Sequence, residues 1–119
     1  MDIDKKTQFG VINITSDAIA QVASNAAGQC YGVVGMASQK LFQDGIAELL
    51  KKENYAKGVV VRQGEQNLVL DLFIVVSFGV RISEVVSEVQ KKVKYSLEKA
   101  LDVEFEAINV FVQGVRVMD

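Results

Sequence analysis

The sequence predicts an α+β fold, a two-layer sandwich in which a four-stranded sheet carries one long and two shorter helices mainly on one face. Two segments carry this prediction: LVLDLFIVVS at residues 68–77 is typical of a strand that is apolar on both sides, and residues 82–101 repeat apolar side chains at helical spacing. The 119 residues, 50% of them hydrophobic and 24% charged, fit one globular domain spanning 1–119.

The first elements are a strand and a helix. Alternating β-branched residues predict a strand over 8–14, and Thr15 or Ser16 then caps a helix that runs to about Ala27. Gly28 stands where a left-handed cap would end this helix.

A glycine-rich connector and a second helix come next. The connector, GQCYGVVG at residues 28–35, leaves room for only a short strand around Val33 and Val34. Apolar spacing then predicts a helix over about 39–53, despite the weakening effect of Gly45. Its inward side chains are Leu41, Phe42, Ile46, Leu49 and Leu50.

The second half of the chain predicts a hairpin, a long helix and a last strand. The hairpin joins 58–63 to 68–77 through a turn of about four residues. The helix spans about Ile82–Leu101, and the last strand spans about Phe105–Val112, extending toward Val117 if Gly114 marks a bulge.

The strand at 68–77 has two apolar faces, and one layer of helices covers only one of them. Strand alternation sends Leu68, Leu72 and Val76 to one side. The other side carries the predicted interface residues Val69, Phe73 and Val75, joined by Phe111 and, if it lies near, Phe105. A second copy of the chain, another partner, or the protein's own N-terminus or connector must cover this side.

The composition argues against catalysis and metal binding. The chain has no histidine, which removes the commonest general base and metal ligand. Cys30 fits a small buried residue better than a reactive thiol. The acidic residues Asp102, Glu104 and Glu106 fit surface charge better than a calcium site. We therefore predict no catalytic residue, no cofactor and no metal.

Charge and targeting signals predict a cytoplasmic protein. A single cysteine favours a reducing compartment, the N-terminus lacks the features of a signal peptide, and the apolar runs are too short to insert in a membrane. A net charge of −2 gives little attraction to nucleic acid. The G-x-x-G pattern at Gly32–Gly35 leaves weak RNA binding as an alternative, although valines stand where RNA-binding loops usually carry basic residues.

Several segments, in this order and spacing, resemble the alkaline shock protein family, the envelope stress response proteins of Gram-positive bacteria. The matching segments are GVVVR at 58–62, LVLDLFIVVSFG at 68–79, ISEVVSEVQKKVKY at 82–95 and INVFVQGVRV at 108–117. The segments at 30–38 and 44–58 resemble one compact subgroup of that family.

The resemblance implies a non-enzymatic protein, cytoplasmic or held at the inner membrane surface by a separate anchor protein. Together with the two-faced strand, it predicts a self-associating scaffold or adaptor, a homo-oligomer. Members of the subgroup are commonly encoded beside a dihydroxyacetone-kinase-like kinase of fatty-acid metabolism. A regulatory binding subunit of that kinase is therefore the alternative function.

Overall fold

The computed structural model describes residues 2–41 and 47–117 and confirms the α+β class. Two α-helices, a 3-10 helix and seven strands make up this part of the chain. In order they are β1 Ile3–Thr7, β2 Gly10–Ile14, α1 Ser16–Gly28, β3 Val33–Leu41, β4 Ala47–Leu49, the 3-10 helix Lys52–Gly58, β5 Val59–Gln63, β6 Leu68–Ser77, α2 Ile82–Leu101 and β7 Ala107–Arg116.

Strand β6 lies at the centre of the main sheet. β7 runs parallel to it along one edge, because the connection through α2 carries the chain back to the same end of the sheet. Along the opposite edge, β5 pairs antiparallel with Leu68–Leu72 and β3 pairs antiparallel with Ile74–Val76. β4 extends the sheet beyond β3.

Helices α1 and α2 pack on one face of this sheet and bury its core. The core side chains of β6 are at most 6% exposed, and they meet the apolar stripe of α2 and the alanine-rich side of α1. Burial of each large side chain contributes about 1.5–3 kcal/mol. The members from β6 and α2 are Leu68, Leu70, Leu72, Ile74, Val76, Val85, Val89, Val93 and Leu97.

The ends of α1 confirm one predicted cap and correct the other. The Thr15 hydroxyl accepts a hydrogen bond from the Ala18 amide at 3.1 Å, as an N-cap does. Gly28, however, is the last helical residue and not a left-handed cap. The residue that caps the helix is Gln29, whose backbone is in the right-handed helical region. Gly28 instead makes space: a Cβ atom there would lie 3.0 Å from the Tyr55 ring.

The predicted helix at 39–53 is wrong in the described part of the chain. β3 continues from the connector to Leu41, β4 pairs back with it so that Ala37 lies opposite Leu49, and the only helical turn is the 3-10 helix Lys52–Gly58. Phe42 and Ile46 lie outside the described residues. Short apolar runs are compatible with both strand and helix. Here pairing with a neighbouring strand outweighs the helical spacing of the apolar residues.

The strand predicted at 8–14 is half of a hairpin. β1 and β2 pair antiparallel, with Ile3 opposite Ile14, and these two side chains pack against the core. Phe9 in the turn is 91% exposed. No helix within 2–41 and 47–117 is long and apolar enough to cross a membrane.

Strand β7 confirms the extension of the last strand past Gly114. Its register with β6 shifts by one residue, because Val112 lies opposite Ile74 while Gly114 lies opposite Val75. Gln113 is therefore the extra residue of a bulge. Phe105 precedes the strand and packs against the helix-covered core, so its predicted place on the other face is wrong.

Candidate functional site

The face of the sheet that points away from α1 and α2 contains all four predicted interface residues. We call it the open face. Directly opposed residues of paired strands share a face, so the register assigns neighbouring side chains of β5 and β7 to it as well. Its members are Val60, Arg62, Val69, Asp71, Phe73, Val75, Ser77, Ala107, Asn109, Phe111 and Arg116.

Val75 and Val69 are already covered by the protein's own chain. Val75 is 3% exposed because Ala37 and Val34 of β3 and Leu49 of β4 pack around it. Val69 is 4% exposed and lies under the turn after β5, where a Cβ on Gly64 would approach its Cγ2 atom to 2.7 Å. Strands β3 and β4 thus cover one end of the open face and the β5–β6 turn covers the other, so these two valines contribute little free surface.

Phe73 and Phe111 form the accessible apolar centre of the open face. They are directly opposed on β6 and β7, and their rings stack with centroids 5.0 Å apart and an interplanar angle of 16°. Phe73 is half-buried, whereas Phe111 is 44% exposed. Stacking covers one face of the Phe111 ring and leaves the rest of the ring in water. An apolar partner that buried this exposed part would gain binding free energy.

A polar group formed by Arg62, Asp71 and Asn109 lies beside the two rings. The Arg62 Nε atom donates a hydrogen bond to Asp71 Oδ2 at 2.8 Å, and the side-chain Nδ2 atom of Asn109 donates one to Asp71 Oδ1 at 3.0 Å. Partial burial by itself raises the pKa of the Asp71 carboxyl, but these hydrogen bonds and the charge of Arg62 outweigh it, so the pKa is lowered. Asp71 is therefore ionised at neutral pH and suited to holding Arg62 and Asn109 in place.

Asp71→Asn should lower the free energy of unfolding by about 1 kcal/mol at pH 7, because it removes a charge-assisted hydrogen bond. A lowered pKa in the folded state means that Asp71 stabilises the fold above its unfolded pKa of about 3.9. This contribution is lost as the pH falls through the folded pKa. The difference in free energy of unfolding between the native protein and the variant should therefore shrink below about pH 4. Urea unfolding at several pH values measures this difference.

A gap that stayed constant from pH 7 down to pH 2 would contradict this role for the Asp71 charge. Glu98→Gln on α2 is the control, since Glu98 makes none of the hydrogen bonds of the open face. We expect Asp71→Asn to have the same effect at each pH in the Glu98→Gln background as in the native background.

Glu106 organises the turn between β5 and β6. Its carboxylate accepts hydrogen bonds from the backbone amides of Gln66 at 2.6 Å and Asn67 at 3.0 Å, with Glu65 further away at 3.4 Å. These amides, Gln66 first, lower the pKa of Glu106. Glu106 is exposed as predicted, but it also fixes the turn that covers Val69.

The other residues considered from the sequence have structural surroundings. Cys30 is half-buried against the core, and burial raises the pKa of its thiol, which disfavours the reactive thiolate. Gly32 and Gly35 make room for Val85 and Tyr55, and β3 begins between them, so this segment is not an open loop. Within the described ranges, no three acidic or cysteine side chains group in a way that could hold a metal ion.

Two features of this surface were missed from the sequence. The contact of Arg62 with Asp71 could have been inferred from the hairpin, because a turn at 64–67 places both residues on one face. The coverage of Val75 depends on β4, which apolar spacing assigned to a helix.

Comparison with known proteins gives matches over nearly the whole chain. The model of the alkaline shock protein family, described as having a cell envelope-related function, matches residues 4–117. The chain is 46% identical over 117 residues to YloU of Bacillus subtilis, covering 98% of each protein. It is 42% identical over 118 residues to Spy1614 of Streptococcus pyogenes, covering 99% of this chain and 98% of that protein.

Among solved structures, a variant of the MamM CTD aligns with a TM-score of 0.47 and 14% identity. The alignment covers 87% of this chain and 93% of that one.

Proposed function

The chain belongs to the alkaline shock protein family, whose function is cell envelope-related, and we propose that it is a non-enzymatic adaptor that assembles with copies of itself. In this proposal it works at the cytoplasmic side of the membrane, where a separate anchor protein holds it. Self-association is the step that a structural argument supports, through the accessible part of the open face.

The single observation that carries the proposal is the exposure of Phe111 beside Phe73. A stacked aromatic pair on a rigid sheet is typical of an interface centre, because the rings offer large contact area with few torsions to restrict. A standard interface buries about 800 Å² per partner. The contact must therefore extend beyond the two rings.

The charges of the open face favour a second copy as the partner. In a two-fold dimer the same patch meets itself, so a patch with net charge would repel its copy. Here Arg62 is neutralised by Asp71 within each chain. The part of the face around the two rings therefore carries no net charge, and Arg116 lies at its far end, opposite Ser77.

Phe111→Glu should lower the solution mass from that of an oligomer to that of a single chain. The substitution places a charge where the partner's apolar surface would remove water, which costs far more than the same charge in solvent. Light scattering coupled to size-exclusion chromatography measures the mass, and circular dichroism verifies the fold. Phe9→Glu is the matched control, because Phe9 is 91% exposed and lies in the β1–β2 turn.

Two results would contradict self-association through this surface. One is a native protein that elutes with the mass of one chain at every concentration tested. The other is a folded Phe111→Glu variant that keeps the native oligomer mass.

A further inference from the structure

The main sheet has edges of very different length within the described residues. β4 has three residues, and β5 has five and ends in Arg62 and Gln63. β7 has ten and pairs with β6 but with no other strand in residues 2–41 and 47–117. Proteins usually keep edge strands short, charged or covered, since an open edge pairs with other chains. β7 is the edge that departs from this rule.

The sequence of β7 offers little protection against pairing. AINVFVQGVR contains no proline and no lysine, and its one charge, Arg116, is at the end. From Ala107 to Val112 its register with β6 is regular, and the bulge lies beyond, at Gln113. The side chain of Gln90 on α2 donates to the Ile108 carbonyl at 2.9 Å and covers a single position. Most of the strand is thus a regular, apolar template.

We propose that β7 pairs antiparallel with β7 of a second copy, edge to edge, about a two-fold axis near Phe111. This rests on the self-association proposed above and specifies how two copies meet. The two sheets would join into one, and the two pairs of stacked rings would become neighbours on the same side of it. The free part of each Phe111 ring would then be covered by the second Phe111.

The charges at the ends of β7 favour the antiparallel direction. Acidic residues Glu104 and Glu106 precede the strand, and Arg116 ends it. In an antiparallel pair with Phe111 opposite Phe111, Arg116 of one copy lies beside Glu106 of the other, whose carboxylate also holds the β5–β6 turn. With Val110 opposite Val110, Arg116 lies beside Glu104. A parallel pair would instead place like charges together, which is unfavourable.

Amide hydrogen exchange, followed by NMR on the native chain, tests the edge contact directly. The protein is measured above and below the concentration at which light scattering shows dissociation. Alternate amides of Ala107–Arg116 should exchange at least about ten times more slowly in the oligomer, because pairing adds hydrogen bonds on the outer edge of β7. The backbone amides of β5, which lies on the opposite side of β6 from β7, should exchange at the same rate at both concentrations.

Two substitutions separate edge pairing from contact between faces. Phe111→Lys places on β7 the residue type that natural edges use to prevent pairing, whereas Val60→Lys makes a comparable change on β5, at the far side of the open face. We expect Phe111→Lys to yield single chains and Val60→Lys to keep the native mass. Circular dichroism verifies that both variants fold.

The outcomes distinguish this proposal from the proposed function. If the native protein is an oligomer whose β7 amides exchange equally at both concentrations, edge pairing is wrong and self-association stands. Dissociation by Val60→Lys would likewise favour a contact between faces and overturn edge pairing. A native protein that is a single chain at all concentrations would overturn both.

Discussion

Leu72→Ala should lower the free energy of unfolding by about 2–5 kcal/mol. Leu72 lies at the centre of β6 and is fully buried beneath the helices. The substitution removes apolar contacts and leaves a cavity, because β5 and β7 hold the backbone on either side. Thermal unfolding should show a midpoint about 10–20 °C lower, and urea unfolding measures the free energy itself.

Two controls show whether the loss comes from the buried face. Leu72→Met nearly conserves volume and should cost less than about 1.5 kcal/mol. Val60→Ala, on the open face, should cost less than about 1 kcal/mol, because Val60 is only partly buried. A loss below about 1 kcal/mol for Leu72→Ala would contradict the assignment of this face as the core.

Gly32→Ala should lower the free energy of unfolding by about 2–4 kcal/mol, from two separate causes. Gly32 has φ +89°, a conformation that residues with a side chain rarely adopt. An added Cβ would also lie 2.7 Å from Cγ2 of Val85, a core residue of α2. The new methyl group would therefore push α2 away from the start of β3. Urea unfolding of the purified variant measures the loss.

Gly79→Ala separates the two causes. Gly79 has φ +91°, almost the same as Gly32, but no atom lies within 4 Å of its added Cβ. Its substitution should cost about 1–2 kcal/mol, from backbone conformation alone. If both substitutions lowered the free energy of unfolding equally, Val85 would have to move aside at no cost. That result would contradict close packing between α2 and the connector.

The segments predicted correctly are those with strong local patterns. The hairpin at 58–77 and the helix Ile82–Leu101 follow from a continuous apolar run, a polar turn and a sustained helical stripe. The segment at 39–53 failed because its spacing is compatible with both structures. Strand β3 decided the outcome by pairing with both β6 and β4. Nor does local sequence indicate that β3 and β5 share one edge of β6.

Strand alternation follows from the backbone alone, so the residues at 68–77 are sufficient to predict that β6 is apolar on both sides. The alternation places Val69, Phe73 and Val75 on one face, whereas Phe111 joins them because β7 pairs with β6. Which of these four side chains stay accessible depends on tertiary contacts. Val75 is buried by Leu49 and Val69 by the turn at Gly64, whereas Phe111 on the edge strand β7 keeps 44% of its surface. These side chains are covered by other segments of the chain, and strand pairing sets where those segments lie.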